Sequence, residues 1–394
     1  MKKILLSGGW GFGNLGDDAI LLSTIRILYN LHSNVEIGVL SYNKQETQYV
    51  VHKEFSNIKV YKSVQKVLFG NNFEIQFGVK KFYCSNLLKW IYYKLECCFF
   101  YLYKRYPRLL SLLFDNRILP YKKIISSYDV LCFCGGGYLN NWRSSLLSHY
   151  IEMIIARNNN IKIHTIGSSV GPFECELYKN MAESILSKCN HISFRDNKSL
   201  TYVTKNAYIT PDYALYSEKS YSDNSGKRNV DREKRLLYIV GYDNVLSQKE
   251  GLYDYFIEIQ NKYGFYVTLS VSQLWDVQDT LFVLYEYFKS RGLNCNYIIP
   301  KDVIELEEII KHSTIMLSQN LHPLILAYRN RIPSVSLNNR IKFNAFIELT
   351  NGYICPLKDF DVKRCVKISR DALCKTEYYD FSEDIKMDCL NIMK

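Results

Sequence analysis

The chain has 394 residues, 47% of them apolar, and a formal charge of +11; this allows two or three domains with a sizeable core and excludes general disorder. The charge favours an anionic partner, a phosphorylated substrate or a membrane surface, whereas nucleic acid is not expected, because no binding module or dense basic tract is present. The 12 cysteines contain no C-x-x-C spacing, so neither a metal site nor a disulfide framework is expected and the thiols read as reduced core residues.

The first element is the apolar run "KILLS", a strand, followed by "GGWGFGNLGDDAIL". Beyond Asp17, the spacing of Ile20, Thr24, Ile27 or Leu28, and Leu31 is helical. Gly11, Gly13 and Gly16 therefore lie at a strand-to-helix junction, where glycine permits positive φ and close approach of a ligand. Free N–H groups at the helix start attract an anion. The stretch matches G-x-G-x-x-G, but a dinucleotide would set its pyrophosphate against Asp17 and Asp18, and Glu36 is the only nearby acidic residue for a ribose. A second reading is a glycine turn capped by Asp17.

"VEIGVLS" and "NIKVY" continue as strands. Residues 81–123 then break the rhythm: the stretch is densely aromatic and holds nine Lys or Arg against Glu96 and Asp115. It reads as peripheral contact with the inner face of an anionic membrane or as a helical insertion covering the first domain. Nothing at the N-terminus reads as a signal peptide. No stretch reaches the roughly 18 uninterrupted apolar residues of a membrane span, so a cytoplasmic protein is expected.

The strand in "DVLCFCGG" ends in Gly135, Gly136 and Gly137, a wall open to a ligand. "KIHTIG" leads to Ser168 and Ser169 as hydrogen-bond donors. "HISFRD" ends in Arg195, suited to a carboxylate or phosphate, or else to a local pair with Asp196 capping the next helix. Helical patterns at Leu146 to Arg157, Cys175 to Lys188 and Tyr253 to Lys262 alternate with the strands. Polar residues 217–234 read as a linker. Beyond it "RLLYIVGY", "FYVTLSVS", "CNYIIP", "TIMLS" and "PSVSL" are strands. This alternation predicts an α/β fold of two domains, 1–216 and 235–394, each a parallel sheet with crossover helices, facing a cleft. His322 follows "TIMLS" at the start of a helix running to Arg329. Its usual pKa range suits proton transfer, and Arg340 and Lys342 lie beyond the next strand.

In this order, "GFGNLGDDAIL", the "GGG", "IGSSVGP", "FRDNKS", "PDYAL" around Asp212 and "LHPLILAYRNRIPSVSLNNRIKF" resemble the polysaccharide pyruvyltransferase family. The resemblance implies two Rossmann-like domains of GT-B architecture and transfer of pyruvate from phosphoenolpyruvate onto a sugar as a ketal, the acceptor being a surface polysaccharide or its lipid-linked precursor. It places Asn14, Asp17 and Asp18 at the acceptor hydroxyls. His322 becomes the candidate acid, and Arg195, Arg340 and Lys342 the anion binders. No metal or cofactor is expected beyond the donor substrate. The family commonly carries R-L-H; here Asn320 stands in the arginine's place, which removes one donor to the phosphoenolpyruvate anion. A nucleotide-sugar-dependent glycosyltransferase and a non-catalytic carbohydrate-binding relative are the competing readings.

Overall fold

Buried apolar runs set two parallel sheets in the computed structural model, which describes residues 1–32, 34–64, 119–140, 143–173, 176–218, 234–241, 245–275 and 277–393. The described chain forms two compact units. The first comprises Met1–Phe12, Leu28–Thr210 and Asp388–Lys394; the second comprises Gly13–Ile27 and Pro211–Met387. The chain thus enters the second unit early, returns, and re-enters it after Thr210.

The first sheet contains β1 (Lys2–Ser7), β2 (Val35–Ser41), β3 (Lys59–Lys62), β4 (Val130–Cys134), β5 (Lys162–Ser168), β6 (His191–Phe194) and β7 (Tyr208–Ile209). Its order is β3-β2-β1-β4-β5-β6-β7, parallel throughout. Burial on both faces explains why β4 is five buried residues without polar alternation. Leu131, Phe133, Ile151, Ile163 and Ile185 belong to its core. Tyr121 and Ile125 join that core, so the end of the aromatic stretch packs inward. Residues 81–118 of that stretch, and 219–233 of the expected linker, lie outside the described residues.

The second sheet contains β8 (Arg235–Val240), β9 (Tyr266–Val271), β10 (Cys295–Ile298), β11 (Ile315–Ser318), β12 (Ser334–Ser336) and β13 (Tyr353–Ile354). Its order is β10-β9-β8-β11-β12-β13, again parallel. In each sheet the order reverses beside the unit's first strand, between β1 and β4 and between β8 and β11. Ligands of open parallel sheets bind outside the carboxyl ends of the strands at such reversals.

Local chemistry fixes the helices behind these edges. Helix Val303–Lys311 starts at Asp302, whose carboxylate accepts from the N–H groups of Ile304 and Glu305, both at 3.0 Å. Glu305 answers by accepting from Lys301 N at 2.8 Å, so the first turn is held from both directions. Val303, Leu306, Ile309 and Ile310 form the buried face. Among the described residues, no helix is long and apolar enough to cross a membrane.

Candidate functional site

The opening glycine motif is divided between the units. Gly11 belongs to the first, with φ 81°, and Gly13 begins the second, with φ 66°. Gly13 O accepts from Leu274 N at 2.9 Å, and Leu15 N donates to Ser272 O at 3.1 Å. Asn14 forms an antiparallel bridge with Gln273 between them. Within the second unit, residues 13–15 of the motif are thus stitched to the loop after β9. Helix Leu15–Leu31 follows, beginning two residues before the expected Asp17.

Asn14, rather than Asp17, completes the helix start. Its Oδ1 accepts from Gly16 N at 3.3 Å and its Nδ2 donates to Asp17 Oδ2 at 2.8 Å. Asp17 and Asp18 fall in the first turn and are buried; the helix dipole favours their charge there. Gly16 is helical and does not use positive φ, contrary to expectation. It is glycine because any Cβ would overlap the His322 imidazole at Nδ1 and Cγ. Motifs some 300 residues apart therefore meet within one unit.

His322 is held at the carboxyl end of β11, in the first turn of helix Leu321–Arg329. Ahead of it lies a tight turn built by Ser318, whose Oγ accepts from Asn320 N at 3.0 Å and donates to Asn320 O at 2.8 Å. The same serine turn closes β12, from Ser336 to Asn338. Gln319 and Asn320 sit at the reversal of the second sheet. Gln319 Oε1 accepts from Tyr238 Oη at 3.0 Å and Gly241 N at 2.9 Å. Asn320 Nδ2 donates to Ser272 Oγ at 2.9 Å. The residue in the family arginine's position thus ties β11 to the loop after β9. Arg340 and Lys342 are exposed at the start of helix Ile341–Thr350, after β12.

A buried arginine secures this group. Arg329, on the helix that starts at His322, pairs with Glu307 at 2.6 Å. It also donates to Ser23 Oγ at 3.1 Å and Ala214 O at 3.0 Å. Ser23 lies on the helix that holds Gly16, so one guanidinium links the two helices that meet at the imidazole. Burial would raise the Glu307 carboxyl, but Arg329, Asn330 and Lys311 bring it down to about 2.

The first unit gathers the other expected residues differently. Gly135 and Gly136 have φ of 54° and 70°. Gly136 and Gly9 are both seats for the Tyr138 ring, which a Cβ at either would overlap. Gly137, by contrast with Gly136, is open, its built Cβ meeting only Asn140 Nδ2 at 3.9 Å. Ser168 ends β5, and the backbones of Ser168 and Ser169 bond to Arg195 N and Gly136 O. Arg195 reaches back to β5: its Nε donates to Ser169 Oγ at 2.9 Å. Asp196 caps the following turn through Ser199.

Sequence reasoning missed Ser272, Trp275, Gln319 and Asn338, and also a buried cluster at the end of β1. There Ser7 Oγ donates to Glu152 Oε2 at 2.6 Å, with His149 Nδ1 3.1 Å from the same oxygen. The stretch "VSQLW" after a strand was the available signal for the first two; the cluster's members are 142 residues or more apart in part and leave no local pattern. Among the described residues, no group of three or more His, Cys, Asp or Glu is arranged to hold a metal ion.

The profile of the family described as polysaccharide pyruvyl transferase matches residues 14–340. The amylovoran biosynthesis protein AmsJ of Erwinia amylovora is 23% identical over 209 residues, 53% of this chain and 46% of that protein; the match spans about half the relative's length. Among solved structures, the UDP-GlcNAc 2-epimerase of Methanocaldococcus jannaschii covers 100% of this chain and 99% of its own at 12% identity, with a TM-score of 0.61. That of Neisseria meningitidis covers 100% of both chains at 10% identity and TM-score 0.58. The glycotransferase of kitacinnamycin covers 99% and 95% at 10% identity and TM-score 0.52. These likenesses concern the fold, two Rossmann-like parallel sheets of the GT-B-like class.

Proposed function

The chain belongs to the polysaccharide pyruvyl transferase family, and from that premise we propose that it transfers pyruvate from phosphoenolpyruvate onto a saccharide as a ketal. A role in polysaccharide biosynthesis follows from the family and from the relationship to the amylovoran protein. The observation that carries the finer reading is the seating of His322 against Gly16, beside Asn14 and Asp17.

In this reading His322 delivers a proton to the methylene carbon of phosphoenolpyruvate. The adjacent carbon becomes electrophilic, and an acceptor hydroxyl adds to it while giving up its proton. The carbon–oxygen bond to phosphate then breaks and phosphate departs. A second hydroxyl closes the ketal and loses its own proton. Asp17 and Asp18 accept hydrogen bonds from the acceptor hydroxyls and favour their deprotonation. Arg195, Arg340 and Lys342 supply cationic contacts for the donor's carboxylate and phosphate. Gly11, Gly13, Gly135, Gly137, Ser168 and Ser169 are the accompanying backbone and hydroxyl contacts, Gly136 being the seat of the Tyr138 ring. The acceptor is a polysaccharide or its lipid-linked precursor, and the protein works in the cytoplasm.

The test is phosphate release from phosphoenolpyruvate, screened against acceptor oligosaccharides. His322→Asn is expected to keep the fold and lower turnover by roughly 10²–10⁴-fold, the usual range for a positioned acid. Asn320→Arg supplies the family's guanidinium at the cost of the Ser272 hydrogen bond. If wild type binds no phosphoenolpyruvate and Asn320→Arg restores none, the pyruvyl donor is wrong. A thermal shift with a nucleotide sugar in its place would then support glycosyl transfer.

A further inference from the structure

We propose that Trp275 is a stacking platform for a pyranose ring of the acceptor, an inference that rests on the saccharide reading above. The two tryptophans among the described residues, Trp10 and Trp275, contrast in their surroundings. Trp10 is completely buried, and its Nε1 donates to Leu40 O at 2.6 Å. Trp275 is 37% exposed on the loop after β9. The first is core packing; the second keeps a large amphipathic surface in water.

Its position on the loop is set by contacts within the second unit. The pyrrole edge of the indole rests on Gly13: a Cβ built there would come within 2.6 Å of Trp275 Cδ1 and 3.2 Å of Nε1. Gly13 also has the left-handed φ of 66°, so two independent requirements exclude a side chain. The backbone bonds from Gly13 O to Leu274 N and from Leu15 N to Ser272 O hold the loop on either side of that contact. Gln278 Nε2 adds a bond to Leu274 O at 2.8 Å. An indole fixed this way pays little conformational entropy on binding, which is what makes Trp an effective anchor.

The same short segment carries the polar groups of the candidate site. One residue beyond Gly13 is Asn14, bonded to Asp17, and Gly16 faces His322. Sugar rings present hydroxyls at their rim and C–H groups on their faces. They therefore need polar partners at the edge and a flat apolar partner on a face. The Asn14–Asp17 pair supplies the first and the indole supplies the second. The carboxylates alone would leave the ring free to tilt; stacking fixes which hydroxyls lie toward them.

The probes are methyl glucopyranoside, methyl galactopyranoside and methyl mannopyranoside, followed by saturation-transfer NMR on the full chain. Wild type should transfer saturation to the ring protons of at least one glycoside. Trp275→Ala should weaken that binding about tenfold or more, and Trp275→Phe should retain most of it. Circular dichroism checks the fold of each variant. A 5-fluorotryptophan label, assigned with Trp275→Phe, gives a second readout: the Trp275 resonance should shift when the glycoside is added. No transfer to any of the three glycosides, or equal transfer in Trp275→Ala, overturns the platform. Phosphoenolpyruvate turnover with an acceptor KM unmoved by Trp275→Ala also overturns it, while leaving pyruvyl transfer in place. Glycoside binding that requires Trp275, in a chain that never consumes phosphoenolpyruvate, supports the platform and removes the pyruvyl donor.

Discussion

At the reversal of the first sheet, Gly9 and Gly136 both back onto the Tyr138 ring, and Ser7, His149 and Glu152 are closed off near it. At the reversal of the second, Gln319 and Asn320 present amides between β8, β9 and β11, with His322 directly after them on Gly16. Both sheets reverse beside their first strand, and glycines stand at each site, Gly9 and Gly136 in loops of the first unit and the helical Gly16 in the second. What differs is what the glycines make room for. In the first unit an aromatic ring fills the space, leaving Gly137 as the open position. In the second an ionisable imidazole fills it. A glycine at a strand end is therefore ambiguous between a ligand wall and a side-chain seat until its neighbour in space is known.

The comparison can be broken most severely at Arg329. Truncating one partner of a buried ion pair leaves the other charge uncompensated. Arg329→Ala is expected to destabilise the second unit by about 3–5 kcal/mol, measured by urea unfolding. It should also uncouple the helices that meet at His322. An effect below 1 kcal/mol would show that the Glu307 and Ser23 contacts do not hold the site.

Acid separates the units next. His164, on β5 of the first, is lowered to about 3 by burial, with His191, Lys2 and Lys162 adding to the effect. Its folded pKa lies below the usual 6.5, so its contribution is complete above that value and is lost as pH falls from about 6.5 towards 3. Glu307, in the second unit, is held at about 2 against an ordinary 4.5. Its contribution is complete above about 4.5 and is lost between there and 2. The first unit should therefore begin to weaken at a higher pH than the second. Hydrogen exchange at stepped pH checks the order, and His164→Phe should remove the earlier phase.

In the first unit, Ser7→Ala should cost about 1–3 kcal/mol, since the buried Glu152 carboxylate loses its donor. Thermal unfolding at neutral pH measures it. A neutral result would mean that His149 alone satisfies the carboxylate.

Much of the architecture was legible because buried parallel strands write themselves as apolar runs. "VLCFC" and "IMLS" are entirely buried. The short edge strands β7 and β13, two residues each, carry too little pattern to be seen. Gly16, Asp17 and His322 were singled out, but their shared contact was not readable, because nothing local connects positions so far apart. The reason assigned to Gly16 was also different: helical backbone demands no glycine, and only the imidazole against it does. Arg329 went unread because an arginine at a helix end looks like a solvated dipole partner, whereas here it is buried.

The central claim, that Gly16 is glycine because His322 occupies the space a side chain would need, is tested most directly by a double-mutant cycle on stability. In wild type, Gly16→Ala should destabilise by about 1–3 kcal/mol through overpacking, despite alanine's better helix propensity. In a His322→Ala background the same change should become neutral or stabilising by up to about 1 kcal/mol. If Gly16→Ala has the same effect in both backgrounds, the imidazole does not sit on Gly16 and the site built around that contact falls.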